Sequence, residues 1–416
     1  SKWLSSVKDA VCQLQNNIHQ FIRSIMSHSY IISAKRTPIG AFLGSLSAFS
    51  APQLGAIAIK SALEQAGIDP ALVSEVIMGN VLTAGIGQAP ARQAALGAGL
   101  STSIPCMTIN KVCGSGLKSV MLGDQAIRCG DAEIVVAGGQ ESMTNAPYLL
   151  PKGRTGYRYG NGQVVDSMAF DGLTDAYAIA PMGNFAEQCA KDCSIDRSMQ
   201  DEYAVMSYNR AIEAQKSGAF SNEIAPVIIE DKKGTVSVSE DEEPGKVRFD
   251  KIPSLKPVFT KDGTVTAANA SSIDDGAAAI VLASEDAVSK HNLKPIAKVI
   301  AHASYAHKPE DFNTAPIHAI ETVLKKAGLS LSDIDLFEVN EAFAVTALAA
   351  KNTLNIPLEK MNVHGGAIAL GHPIGASGAR VLTTLLHALK THGKRYGLAT
   401  LCIGGGEASA MIVEAI

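Results

Sequence analysis

From Met26 onward the chain alternates short apolar runs with longer stretches whose apolar residues recur at helical spacing. Residues 30–33 read as a strand, 52–66 as a helix and 75–78 as a strand. An apolar run at 104–109, a helical stretch at 117–128 and a strand at 134–139 continue the alternation, which is that of an α/β protein. The pattern then recurs. Leu63-Glu-Gln-Ala-Gly-Ile68 followed by Val76-Ile-Met-Gly-Asn80 is echoed by Leu324-Lys-Lys-Ala-Gly-Leu329 followed by Phe337-Glu-Val-Asn340. The Cys113-Gly-Ser-Gly helix start with its strand at 134–139 is echoed by the His372-Pro-Ile-Gly helix start with a strand at 398–404. Two echoes in the same order, both displaced by about 260 residues, predict duplication of a whole βαβ domain.

Between the repeats, 143–272 breaks the pattern: Gly, Tyr and Arg crowd 152–162, and charge crowds 230–251. The predicted division is an N-terminal domain over 26–142, completed by a segment at about 273–293, an inserted loop domain over 143–272 lying over the site, and a C-terminal domain over 294–416. The opening stretch stands apart. Leu4, Val7, Val11, Leu14, Ile18, Phe21 and Ile25 recur at helical spacing, so an amphipathic helix is predicted over 1–25. Asp9 and a single Arg fit an organellar signal poorly; a docking helix or a leader ahead of a start at Met26 are the other readings.

Composition narrows the class. A chain of 416 residues holds two or three domains of ordinary size. With 46% hydrophobic and 18% charged residues, 37 glycines and one Trp, it reads as a tightly packed protein, neither disordered nor fibrous. A net charge of −4 carries no polycationic footprint, which excludes nucleic acid or an anionic membrane as the main partner. Glycine or charge interrupts every apolar stretch, so no bilayer-spanning helix is expected and the cytoplasm is the expected location. The terminal Val413-Glu-Ala-Ile416 offers no peroxisomal address. Seven cysteines without CxxC pairs or zinc-like His spacing point to a reducing compartment and to no metal site.

Cys113, in Asn110-Lys-Val-Cys113-Gly-Ser-Gly116, falls at a predicted helix start, where free backbone N–H groups and the macrodipole stabilise a thiolate. Gly114 and Gly116 are expected to let a bulky thioester approach the backbone. His372, in Gly371-His-Pro-Ile-Gly-Ala-Ser-Gly378, occupies the equivalent helix start of the second repeat and is the candidate base for Cys113. Cys402, in Cys402-Ile-Gly-Gly-Gly406, is the second thiol: one cysteine holds an acyl group while the other moves a proton, as condensation of two thioesters requires. Asn340, in Asn340-Glu-Ala-Phe343, is a polar anchor able to orient a water.

As a set, and in this order, these four motifs resemble the thiolase family, above all its acetoacetyl-CoA-forming members, over residues 27–416. The resemblance implies duplicated domains forming a layered α/β/α/β/α core with an inserted loop domain. It also implies acetyl-CoA C-acetyltransferase activity, the reversible ping-pong condensation of two acetyl-CoA to acetoacetyl-CoA and CoA. By motif, Cys113 is acylated, His372 activates it and Cys402 shuttles the α-proton. One oxyanion hole uses His372 and a water on Asn340; the other uses the N–H groups of Cys113 and Gly404. Ser271 is expected against the pantetheine, and Phe259, Ala267, Leu173, Met182, Ala342, Phe343 and Phe312 in the walls of the coenzyme A and acyl site. Coenzyme A thioesters are the substrates and no further cofactor is implied. The family also implies a homo-oligomer, a tetramer or else a dimer.

Two departures bear on the acyl chain. Ala180-Pro181-Met182-Gly183 lacks a His that many acetoacetyl-specific relatives carry there, and Phe312 stands where many have Met. A degradative 3-ketoacyl-CoA thiolase is therefore the nearest alternative. A decarboxylating ketoacyl synthase needs no second cysteine, so Cys402 argues against it. The remaining alternative is a non-catalytic acyl-CoA-binding protein of the same fold.

Overall fold

The computed structural model describes residues 28–231 and 234–416; the helix predicted over 1–25 lies outside the described residues. The first half runs β1 (Ser29–Arg36), α1 (Ala51–Ala66), β2 (Glu75–Gly79), α2 (Pro90–Gly97), β3 (Cys106–Ile109), α3 (Ser115–Cys129) and β4 (Ile134–Ser142). A long connection carrying α4 (Met182–Asp192) and α5 (Arg197–Ser217) then leads to β5 (Asp274–Ser284). The second half repeats the order as β6 (Ala297–Ala306), α6 (Ala315–Ala327), β7 (Leu336–Val339), α7 (Ala344–Leu354), α8 (Ile374–His392), β8 (Tyr396–Ile403) and β9 (Glu407–Ala415).

Strand pairing repeats as well. The first half is ordered β3-β2-β4-β5-β1 and the second β7-β8-β9-β6. β2 lies parallel to β4 as β7 lies parallel to β8; β4–β5 and β5–β1 are antiparallel, as are β8–β9 and β9–β6. Where β3 flanks β2, a single parallel bridge from Met361 to Phe337 flanks β7. The halves meet along β1 and β6 at only two residue pairs, Tyr30–Lys298 and Ile31–Ala297.

α3 and α8 lie against each other between the two half-sheets, while α1 and α6 cover the outer faces, which produces five layers. Every residue of α8 from Ile374 to Leu389 is buried, as a helix with protein on all sides requires. Close approach of these helices explains the glycines of both motifs. A Cβ on Gly116 would sit 2.6 Å from the Ala379 nitrogen, and one on Gly378 would sit 2.3 Å from the Leu117 nitrogen. A Cβ on Gly114 would strike the Ile403 side chain. Gly114 and Gly116 therefore serve packing between the halves, not access for a thioester as the sequence suggested.

The carboxyl ends of β2, β4, β7 and β8 and the N-termini of α3 and α8 gather at one end of the molecule, where α/β folds bind ligands. There the halves differ most. β8 and β9 are joined by the turn of Gly404, Gly405 and Gly406, whereas the whole long connection joins β4 to β5. It is tied down from beneath. Glu341 accepts hydrogen bonds from Tyr203 and Ser207 of α5 (2.9 and 2.7 Å), from the Asn362 amide (2.9 Å) and from the Ile368 N–H (3.1 Å). The fully buried Arg36 pairs with Glu223 and, through two nitrogens, with Asp241. A buried charge is tolerated only with this degree of pairing.

Candidate active site

β3 ends in a tight loop that presents Cys113. The Val112 N–H donates to the Asn110 side chain (2.9 Å), the Lys111 N–H donates to Ser115 Oγ (2.8 Å), and that hydroxyl donates to the Val112 carbonyl (2.7 Å). Closing the loop forces Val112 to φ 47°, the left-handed region that a β-branched residue rarely occupies. Such strain persists only where surrounding bonds over-determine it, and here it aims Cys113 from the position just before the first turn of α3. The backbone N–H groups of Cys113 itself and of Gly404 both point to the Cys113 sulfur.

Burial nonetheless pushes the Cys113 thiol up to about 11, against the lowering effect of those two donors. The thiolate expected from a helix terminus is thus not the resting state: desolvation outweighs two N–H dipoles, and the thiol needs a base. His372 is suited to that task. Its backbone N–H donates to Asp274 (2.9 Å), which fixes the loop, and its Nδ1 lies 2.5 Å from Ser377 Oγ. Its Nε2 is buried and has no hydrogen-bond partner among the described residues. Burial, with the positive charge of Arg380, lowers its pKa to about 3, so the imidazole is neutral.

Cys402 is the penultimate residue of β8 and almost fully buried. Burial, the neighbouring Cys113 sulfur and contact with the Thr346 hydroxyl set its acidity, the first two raising its pKa well above the ordinary thiol value and the third opposing them. Asn340 follows β7, buried, its Oδ1 accepting from Arg380 (3.4 Å) and its Nδ2 without a partner.

Cys113, His372, Cys402 and Gly404 line one cavity of about 350 Å³. Leu173, Met182, Ser271 and Ala342 are in its wall. So are Phe259, Phe312 and Phe343, which meet edge to face with ring centres 6.2 Å (Phe259–Phe343) and 6.4 Å (Phe312–Phe343) apart. Two predicted residues are not in the wall. Asn340 stands behind it, two positions before Ala342. Ala267 is exposed, because Asn269 accepts the Thr266 N–H (2.8 Å) and Thr266 accepts the Ala268 N–H (3.2 Å), a curl that turns Ala267 outward and leaves Ala270 to Ile273 on the cavity. Sequence reasoning missed Val112, Met143 and Thr174 in the wall, and Asp274 and Arg380 behind it. Asp274 and Arg380 carried a signal in being charged residues within apolar text next to motifs; the other three carried none.

Residues 29–286 match the family model "Thiolase, N-terminal domain" and residues 293–415 match "Thiolase, C-terminal domain". The chain belongs to the thiolase family. It is 51% identical over 389 residues to the acetyl-CoA acetyltransferase of Schizosaccharomyces pombe, covering 93% of this chain and 98% of that one. It is 53% identical over 386 residues to the mitochondrial acetyl-CoA acetyltransferase of Rattus norvegicus, covering 92% and 90%. The crystal structure of Acat5 thiolase from Ascaris suum in complex with coenzyme A superposes with a TM-score of 0.89 at 45% identity, over 94% of this chain and all of that one. Among the described residues of this thiolase, no group of three or more His, Cys, Asp or Glu is placed to hold a metal ion, and no helix is long and apolar enough to cross a membrane.

The neutral His372 has a consequence for stability. Its folded pKa lies below the free value of 6.5, so between about 3 and 6.5 the unfolded chain binds more protons than the folded one. Its contribution to stability is complete above 6.5 and declines as the pH falls toward 3. Thermal denaturation of wild type and His372→Asn at a series of pH values is expected to show the wild-type Tm falling faster below neutrality; parallel curves contradict a neutral, buried His372.

Proposed function

We propose that this thiolase is an acetyl-CoA C-acetyltransferase that interconverts two acetyl-CoA with acetoacetyl-CoA and CoA through an acetyl group on Cys113. The observation that carries the proposal is one mostly apolar cavity holding two thiols, a neutral imidazole with a free Nε2 and two N–H groups aimed at one of the thiols. The names of the relatives at 51 and 53% identity support the same reading.

In the cleavage direction His372 Nε2 takes the Cys113 proton and the sulfur attacks the 3-keto carbon. The N–H groups of Cys113 and Gly404 hold the oxyanion, for which preorganised donors are worth more than water. The bond between C2 and C3 breaks, the departing acetyl-CoA enolate takes the Cys402 proton, and His372 Nε2–H with a water on Asn340 steadies its oxygen. His372 then gives its proton to the Cys402 thiolate; CoA enters, passes its thiol proton to His372 Nε2 and attacks the acetyl group. Cys113 leaves and recovers its proton from His372. The proton carried off on acetyl-CoA is replaced by the one that CoA brings, so each enzyme group ends as it began, and condensation is the reverse.

Asn340→Ala is expected to lower kcat by about 10²-fold with little change in KM, since the water it holds acts on the enolate and not on bound substrate. Steady-state kinetics of thiolysis checks this. A short acyl group is proposed to lie against the Phe259, Phe312 and Phe343 rings, which form one wall of the cavity. We further propose a homotetramer in the cytoplasm, in keeping with six free cysteines among the described residues. Thiolysis rates along a 3-ketoacyl-CoA series test the function. Activity concentrated on acetoacetyl-CoA supports it, equal or faster cleavage of long chains makes the enzyme a degradative thiolase, and CoA binding without cleavage makes it a non-catalytic binder.

A further inference from the structure

We infer that Ser377 is a positioning residue that fixes the tautomer of His372, holding the ring proton on Nδ1 so that Nε2 faces Cys113 as a lone pair. The inference rests on the catalytic reading of His372 and adds a residue to it.

Ser377 lies in the first turn of α8, buried, with its Oγ 2.9 Å from the Pro373 carbonyl oxygen and 2.5 Å from His372 Nδ1. A hydroxyl has one proton to donate, and a carbonyl oxygen can only accept. If the Ser377 proton points to the ring, Oγ and the Pro373 oxygen are two acceptors in contact at hydrogen-bond distance. Only one assignment makes both contacts hydrogen bonds: Oγ–H donates to Pro373, and Nδ1–H donates to Oγ. Neutral imidazole carries one ring proton, so Nε2 is then bare. Nε2 is also the ring atom that has no partner in the buried site.

Geometry sustains this state through the cycle. When Nε2 takes the Cys113 proton the ring becomes a cation donating from both nitrogens, Nδ1 still to Ser377 and Nε2 to the enolate oxygen. Ser377 need not turn and no second base is required. The Pro373 carbonyl also receives the Ser377 and Ala376 N–H groups (both 2.9 Å), so the carbonyl that orients the hydroxyl is itself held by the helix start. Without Ser377 the Nδ1 proton would be buried unpaired, and the ring would favour the tautomer that places its proton on Nε2, toward the cavity, where it is useless as a base.

The test compares wild type, Ser377→Ala and Ser377→Thr, the last keeping the hydroxyl. Two readouts are used: acetoacetyl-CoA thiolysis, and the pH dependence of Cys113 alkylation by iodoacetamide, which needs no turnover. In the wild type His372 carries the deprotonation, and alkylation is expected to be flat across neutral pH. In Ser377→Ala it is expected to depend on hydroxide and climb about tenfold per pH unit, while kcat falls about 10²–10⁴-fold at unchanged KM. Ser377→Thr is expected to restore both. A Ser377→Ala profile as flat as the wild type overturns the inference while leaving the proposed reaction intact. A wild type that alkylates with hydroxide dependence overturns it also. Absence of thiolysis by the wild type would instead defeat the reaction itself, with the alkylation profile still reporting on the tautomer.

Discussion

Cys113→Ala is expected to lower acetoacetyl-CoA thiolysis by at least about 10⁴-fold while CoA still binds. The loss is that large because no other group in the cavity can replace it. Cys402 is more deeply buried, and the two N–H groups converge on the Cys113 sulfur, so a nucleophile at any other point meets no preformed oxyanion hole. Binding should survive because the aromatic wall and Ser271 belong to other segments, and the change removes one sulfur from a side chain packed against Val81, Leu82 and Met143. Loss of acetoacetyl absorbance in the presence of CoA gives the rate, and calorimetry gives the binding. Residual activity within about tenfold of wild type would mean the acyl group is carried elsewhere.

Cys402→Ala is expected to separate the two half-reactions. Overall cleavage should fall by about 10²–10⁴-fold, the usual worth of a positioned general acid, because the enolate loses its proton source. Exchange of labelled CoA into acetyl-CoA should stay within about tenfold of wild type, since charging and discharging Cys113 needs only His372 as proton carrier. An equal loss in both assays would show Cys402 acting in acyl transfer or supporting the fold. That alternative is real, because Cys402 belongs to the core, paired with Ala408 across β8 and β9, as well as facing the cavity.

Much of this fold was readable from the chain because the two halves repeat the same local grammar. The strand predicted over 30–33 falls within β1 and stops three residues short of its end, the helix predicted over 52–66 is α1 less one residue, and the echoes at 63–80 and 324–340 mark equivalent helix–strand pairs. Duplication also sets residues of the two halves in equivalent places. Glu141 is penultimate in β4 as Cys402 is in β8, and Asn80 follows β2 as Asn340 follows β7. In the first half the pair bond each other at 2.7 Å, and Glu141 also collects the N–H groups of Val81, Leu82 and Gly375. The first-half pair clamps loops together, whereas in the second half Cys402 lines the cavity and Asn340 stands behind its wall.

What the chain did not disclose has physical causes. The protonation state of Cys113 depends on desolvation by residues distant in sequence, so a helix start alone gave the wrong direction. Gly116 looked like room for a ligand because its neighbour across the helix pair, Ala379, is far away along the chain. Ala267 looked like pocket wall because nothing in its own tripeptide shows that Asn269 and Thr266 curl the turn away from the cavity.

The proposed reaction requires that Cys113, and not Cys402, carries the acetyl group. Peptide mass mapping of enzyme quenched in acid after brief exposure to acetyl-CoA tests it most directly. One acetyl group is expected, on the peptide containing Cys113, removed when CoA is added before the quench. An acetyl group on Cys402, or full turnover with no acetylated cysteine, would contradict it.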